Sequence, residues 1–303
     1  MERTVVRTTF PYPLIWDRGK LEISVEDKPF QVVFERRYHE APDKRPPTGS
    51  ILSAPDHELP YDRLGRVAYT HVEIYFPMYV ENDLTDREDL WNWVHAIINR
   101  LLSVYRYSME EFYIDTVPKD ELNIQAITTI DEHGKMSGGE TMIGFQAVGN
   151  RWLTSARTQP IPDEARRILR DGTELPISRV LFLNAKREHL LENYRIAVVE
   201  AETAFEVLID QFVTQHYRRQ GLPDTEILKK LETSLVNLLR YHIPRCCKGA
   251  FEGTPEHRAW EADLYTLRKS VVHDGASVSA EQASQALDAA ERAMGWIEVR
   301  AAA

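Results

Sequence analysis

The segment that decides the fold of the C-terminal part is Leu267-Arg-Lys-Ser-Val-Val-His-Asp-Gly275. It closes a stretch in which apolar residues recur every three to four positions, and this spacing predicts a helix from about Glu256 to His273. Glycine tolerates the left-handed backbone of a helix C-cap, so Gly275 predicts the end of that helix. The residues expected on its inward face are Trp260, Leu264, Leu267 and Val271.

The sequence on both sides of this helix also has helical periodicity. Gly221-Leu-Pro223 is typical of a helix stop, and Asp224 can cap the helix that follows. Ser279-Ala-Glu-Gln282 forms a capping box, in which each side chain can bond the other residue's backbone N–H. Four or five helices with short links predict an all-helical bundle over 184–303. The inward positions of its first long pattern are Leu190, Tyr194, Ala197, Val198, Ala201, Phe205, Leu208 and Phe212.

The N-terminal part has the composition of strands. Runs rich in β-branched and aromatic residues are interrupted by one helix, which begins at the capping box Thr85-Asp-Arg-Glu88 and continues to about Tyr105. We therefore expect an α+β domain, β-rich with one packed helix, over 1–160, and a proline-punctuated connector over 161–183. The expected strands are Thr4–Phe10, Leu21–Val25, Pro29–Arg36, Arg66–Tyr79, Asn123–Ile130 and Glu140–Gly149.

Composition narrows the class of protein. The formal net charge of −10 argues against a broad nucleic-acid-binding surface, so any contact with RNA must come from a local cluster. No run approaches the roughly 18 apolar residues of a membrane helix, and the N-terminus lacks the pattern of a signal peptide. The two cysteines, Cys246 and Cys247, are adjacent and predict no structural disulfide. A reduced, cytoplasmic setting without membrane contact is expected.

The C-terminal segment resembles the HEPN superfamily, in particular its bacterial Apea-like type. Arg268 and His273 match the family's motif of arginine, four to six residues, and histidine on a late helix. The stretch from Tyr194 to Leu208 is similar to the family's first long helix, with an alanine-rich stripe that leads to an acidic residue, Glu206. The likeness covers about 184–300. It implies a helical bundle that forms a homodimer.

Many active members of this family are metal-independent endoribonucleases, and some belong to phage-defence or toxin-type systems. The resemblance therefore implies RNA as a partner, no cofactor, His273 as the general acid/base and Arg268 as the phosphate-binding cation. These residue types suit the reaction, because histidine titrates near neutral pH and arginine stays charged and binds phosphate through two parallel hydrogen bonds. Glu206 and Lys269 are the expected supporting residues.

Helix geometry restricts what one chain does alone. Five residues of an ideal helix turn about 500°, which leaves Arg268 and His273 roughly 140° apart around the axis and about 7.5 Å apart along it. The two side chains would meet only if the last turn before Gly275 unwinds, or if a symmetric dimer gathers two copies into one cleft.

Other interpretations of the same residues stay open. The family usually has a polar, often amide, residue after the motif arginine, and Lys269 in that place is compatible with a non-catalytic dimerisation or RNA- or nucleotide-binding module. Arg268 could pair structurally with Glu206 or Asp263, and His273 could be a solvated helix-end residue. A zinc site is not expected, because adjacent cysteines lack the usual ligand spacing. The residues considered for it are His242, Cys246, Cys247 and His257.

Overall fold

A computed structural model of the chain divides into two compact units, Met1–Glu174 and Leu175–Ala303. Strands and two helices form the first unit, and helices form the second. The α+β class expected from the sequence is confirmed at this level. The structure describes residues 3–10, 14–40, 66–77, 84–112, 114–119, 122–133, 135–136, 141–142, 159–247 and 249–301.

The N-terminal unit is built on an antiparallel sheet of six described strands in the order β2-β3-β4-β1-β5-β6. Because the first strand lies between the fourth and the fifth, chain order and sheet order differ. Of the predicted strand at 140–149 only two residues are described, and the rest lies outside the described residues. The strands are β1 (Arg3–Phe10), β2 (Gly19–Val25), β3 (Lys28–Glu40), β4 (Arg66–Tyr75), β5 (Asn123–Ile130) and β6 (Thr141–Met142).

The predicted helix of this unit is confirmed as α1 (Leu84–Met109). The side chains at 84–87, which include most of its expected capping box, lie outside the described ones. The residues Leu90, Val94 and Leu101 of its inward face are buried, and the Tyr105 ring packs edge-on against Trp16 at 4.9 Å between ring centroids. The Tyr105 hydroxyl also accepts a hydrogen bond from the Ile15 backbone N–H at 3.1 Å, so the helix is joined to the sheet region by a buried polar contact.

The prediction of a connector over 161–183 is wrong, because this stretch does not form a separate linker and the two units meet within it, at Glu174 and Leu175. Its first half contains α2 (Asp163–Asp171), whose apolar face, including Ile168 and Leu169, is buried in the N-terminal unit. The hydroxyl of Ser24 on β2 donates to the Arg170 carbonyl. Prolines in this stretch suggested a linker, but burial of one apolar helix face assigns it to the first unit.

The helical unit is longer than predicted, because a helix already begins at Ile177. The single long helix expected after 184 is in fact two, separated at Glu192, which has a left-handed φ of 63°. Two π-helical turns each join a pair of consecutive helices: Leu238–His242 lies between the helices Leu235–Asn237 and Ile243–Cys246, and Trp260–Tyr265 lies between Pro255–Ala259 and Thr266–Asp274. The helices are α3 (Ile177–Leu190), α4 (Tyr194–Arg219), α5 (Asp224–Leu231), α6 (Leu235–Asn237), α7 (Ile243–Cys246), α8 (Pro255–Ala259), α9 (Thr266–Asp274) and α10 (Ala280–Ala301).

An aromatic cluster forms the centre of the helical unit. Phe205 of α4 lies 5.6 Å from Trp260 and 5.8 Å from Phe251 between ring centroids, and Trp296 of α10 lies 5.2 Å from Phe251. Small residues of α10, such as Ala290, are completely buried and let that helix approach α4 closely. The cluster packs α4 and α10 against the π-helical turn that leads into α9, and thereby helps to determine where the predicted site residues lie.

Two sequence predictions about helix ends are confirmed. The Ser279 hydroxyl accepts from the Gln282 N–H at 3.2 Å, and the Gln282 side chain accepts from the Ser279 N–H at 3.0 Å. Gly275 caps α9 with a left-handed φ of 67°. In contrast, α5 begins after Pro223 without a side-chain cap, and Asp224 instead pairs with Arg218 at 2.9 Å. Within the described residues, no helix is both long and apolar enough to cross a bilayer.

Candidate active site

Arg268 and His273 both lie on α9, and that helix continues through Asp274. The last turn does not unwind before the Gly275 cap, since the helix ends with the Gly275 N–H bonded to the Ser270 carbonyl. The two side chains therefore remain on different sides of one helix, roughly 140° apart. Unwinding of the last turn, which would bring the two side chains together within one chain, does not occur. The other predicted arrangement is a symmetric dimer.

Arg268 is partly buried and faces α4. Burial raises the pKa of two carboxyl groups of that helix, those of Glu202 and Glu206, and the charge of Arg268 partly opposes the rise in each. The Arg268 Nε is buried, and within the described part of the chain this atom has no hydrogen-bond partner. No ion pair joins Arg268 to Asp263 or Glu206 at contact distance among these residues, so its guanidinium is near carboxylates without being bound to them.

His273 and Lys269 are both exposed. His273 lies on the last turn of α9, where its imidazole is accessible to solvent. The ammonium of Lys269 lies 5.4 Å from the centre of the Tyr265 ring, within range of a cation–π contact. The structure thus brings Arg268 and Glu206 together, and places His273 and Lys269 on the outer surface of the same helix.

The most deeply buried carboxyl group near Arg268 is that of Glu202, which was not among the predicted site residues. Glu202 has no solvent-exposed surface, and its Oε2 accepts a hydrogen bond of 2.9 Å from the indole N–H of Trp260. Its Oε1 is buried and unpartnered within the described residues. Burial raises the pKa of Glu202 to about 8, helped by nearby Glu206 and opposed by the Trp260 hydrogen bond and by Arg268.

One signal in the sequence could have identified Glu202. It lies four residues after Val198 and three before Phe205, both of which are on the predicted apolar face of the helix. An acidic residue at an inward position needs a hydrogen-bond donor or a proton to remain there. Glu206, the residue selected from the sequence, lies one turn further along and is only partly buried. Partial burial raises its pKa as well, while Arg268 opposes the increase.

A cleft of about 730 Å³ lies beside the last turn of α9. Its lining includes Val271 and Val272 of α9 and Arg195 and Val199 near the start of α4. The Arg195 guanidinium contacts the Val271 carbonyl at 3.5 Å. The volume lies within the usual range of ligand clefts, and His273 follows directly after the lining residue Val272.

The residues considered for zinc do not assemble. The His242 ring bonds the Tyr217 hydroxyl at 2.9 Å, whereas His257 packs its ring against Phe251 and Trp260. Both cysteines are free thiols, and burial raises the pKa of Cys246 to about 12, which disfavours a thiolate ligand. No group of three or more potential metal ligands occurs among the described side chains.

The buried carboxyl of Glu202 predicts an unusual pH dependence of stability. Burial raises its pKa from the ordinary 4.5 to about 8 in the folded chain, so between these values the folded state holds a proton that the unfolded state has lost. The free energy of unfolding should therefore decrease with rising pH across this window, by up to about 1.4 kcal/mol per pH unit. Glu202→Gln should remove this contribution and be more stable than wild type at pH 8.

Urea unfolding at pH 5, 6.5 and 8 measures this contribution. Glu226→Gln, which replaces an exposed carboxyl on α5, is the matched control and should retain the wild-type slope. An identical pH dependence for wild type and Glu202→Gln would contradict the prediction.

No family model matches the chain, and neither a curated protein nor a solved structure shows significant similarity to it.

Proposed function

We propose that the helical unit is a metal-independent endoribonuclease that acts as a homodimer, with His273 as general acid/base and Arg268 as the phosphate-binding cation. The observation that carries the proposal is the arrangement on α9. An accessible imidazole lies on its last turn, and a partly buried guanidinium without a bound partner in the described chain lies five residues earlier. The resemblance of the same segment to the HEPN motif supports the assignment.

The reaction requires two groups of this kind. A base takes the proton of the ribose 2′-hydroxyl, which attacks the adjacent phosphate, and a cation stabilises the charge that develops on the phosphoryl oxygens. The bond between phosphorus and the 5′-oxygen breaks, and the leaving oxygen takes up a proton from the general acid. The products are a 2′,3′-cyclic phosphate and a 5′-hydroxyl, so no water enters this step. A role in phage defence or in a toxin-type system is part of the proposal through the resemblance alone.

A second copy of the chain completes the proposed site. Because Arg268 and His273 point to different sides of α9, each active centre would combine the histidine of one protomer with groups of the other. Exposed apolar side chains next to the cleft support such an interface, because they are the kind of surface that association buries. They are Leu191 (51% exposed), Ile196 (51%) and Val272 (49%).

A second candidate function is a non-catalytic module that dimerises or binds RNA or nucleotides. The carboxyl group of Glu206 favours it, because its negative charge partly offsets the charge of Arg268 that a phosphate would need. Exposed Lys269 would then provide the contact with phosphate.

RNA cleavage in EDTA separates the two functions. The full chain is incubated with end-labelled RNA, the termini of the products are identified, and sedimentation gives the oligomeric state. The nuclease proposal expects cyclic phosphate ends and a dimer. RNA binding without cleavage would support the second function, and a monomer that neither cuts nor binds RNA would refute both.

A further inference from the structure

The core of the helical unit contains a carboxyl group whose charge is poorly balanced. Glu202 is completely buried, and its one hydrogen bond within the described chain comes from the neutral indole of Trp260. An ionised carboxylate in such a place loses its hydration and gains only one neutral donor in return. The apolar faces of α3 and α10 that pack on α4, represented by Phe182 and Ala290, add no counter-charge.

Three ionisable groups act on one another at this place. Glu202 and Glu206 are one helical turn apart on α4, α9 packs against α4, and the charge of Arg268 on α9 acts on both carboxyls. The Arg268 Nε and the Glu202 Oε1 are both buried without a hydrogen-bond partner in the described chain. Asp210, exposed and a further turn along, acts on Glu206. If both inner carboxyls were ionised, a single guanidinium would face two negative charges, and one charge would remain unbalanced in the core. One proton shared by the two carboxyls restores neutrality.

The hydrogen bonds indicate which carboxyl holds that proton. Glu202 is the more buried of the two, so its ionisation costs more, and it is already anchored through Oε2 to Trp260. Its Oε1 has no partner in the described chain and can carry the proton. Glu206 is closer to solvent and is the better place for the remaining negative charge.

We propose that Glu202 is a positioning residue for Arg268: by retaining a proton it leaves Glu206 as the one carboxylate that acts on Arg268 among the described residues, so that Arg268 stays available to an RNA phosphate. This inference rests on the proposed ribonuclease function. When Glu202 loses its proton, a second carboxylate forms beneath Arg268, and the guanidinium is drawn toward Oε1 and away from phosphate. The pKa of Glu202, which burial raises to about 8, places this transition just above neutral pH.

The pH profile of RNA cleavage tests the inference by kinetics. For wild type, kcat/KM should fall about tenfold per pH unit above about pH 8, mainly through KM, as the protonated form of Glu202 is depleted. Glu202→Gln, which imitates the protonated acid, should retain the wild-type activity at neutral pH and lose this alkaline decrease. Glu202→Ala should be impaired throughout, and Glu226→Gln should follow wild type. An alkaline decrease that is unchanged in Glu202→Gln would overturn the inference.

Nuclear magnetic resonance supplies a measurement that does not require cleavage. The signals of the Trp260 indole N–H and the Arg268 Nε–H are assigned with Trp260→Phe and Arg268→Lys. Their chemical shifts should change together as the pH rises, with a midpoint above the pH range in which an ordinary glutamate titrates. Neither signal should follow that titration in Glu202→Gln. Coupled shifts in a protein that does not cut RNA would refute the proposed function but retain the Glu202–Arg268 coupling. An Arg268 signal that ignores the titration of Glu202 would overturn the coupling, whether or not RNA is cut.

Discussion

Replacing His273 by alanine should lower kcat of RNA cleavage by about 10²–10⁴-fold, the usual contribution of a positioned general acid/base. The expected loss is large because, on the proposed mechanism, no other group at the end of α9 takes over the proton transfer. His273 is exposed on the last turn of its helix. Its removal leaves no cavity, and the free energy of unfolding should change by less than about 0.5 kcal/mol.

Cleavage rates in EDTA, measured with saturating RNA, test this expectation. The matched control is His133→Ala, since the His133 side chain is also highly exposed, at 83%, but belongs to the N-terminal unit. That variant should cut RNA at the wild-type rate. If His273→Ala also retained the wild-type rate, His273 would not be the general acid/base of this protein.

Replacing Trp260 by alanine should destabilise the helical unit by about 3–5 kcal/mol, the usual cost of removing a large buried aromatic side chain. Trp260 is 1% exposed and packs against Phe205, Phe251 and Tyr265, the last at 4.9 Å between ring centroids. The substitution also removes the hydrogen bond to Glu202 and leaves that carboxyl without its described donor. The lost packing and the lost hydrogen bond both lower the free energy of unfolding.

Urea unfolding followed by circular dichroism measures the loss, and two further variants separate its causes. Trp260→Phe retains much of the ring volume but removes the N–H donor, so it should cost less, of the order of 1–3 kcal/mol. Tyr241→Ala removes an aromatic side chain that is 54% exposed and should change stability by about 0.5 kcal/mol or less. A loss below about 1 kcal/mol for Trp260→Ala would contradict the packing described above.

Local sequence patterns predicted most secondary-structure elements, because their causes are local. Alternating β-branched residues gave the strands, and the stripe that includes Leu101 gave α1. The cap at Gly275 and the capping box at Ser279 depend on residues within one turn of each other. The break at Glu192 was missed, since the apolar spacing continues across it and only the left-handed backbone interrupts the helix.

The assignment of segments to units required the tertiary structure. Prolines around α2 suggested a linker, but no local pattern reveals which apolar surface a short helix will cover. The π-helical turn at Trp260–Tyr265 could not be predicted from the sequence either, because one extra residue in a turn leaves the apolar spacing nearly unchanged. These features depend on packing between segments that are distant in the chain.

For the candidate site, the sequence by itself determined the helix that carries Arg268 and His273, its end at Gly275, and the angular separation that one straight helix imposes. The tertiary structure alone decided what surrounds Arg268. Glu202 is 58 residues from Trp260 in sequence. The packing of α4 against α3, α10 and the turn that leads into α9 buries the carboxyl, which raises its pKa and brings it within the electrostatic range of Arg268. Helical spacing is a local property of the chain, whereas the cost of a buried charge depends on every group packed around it.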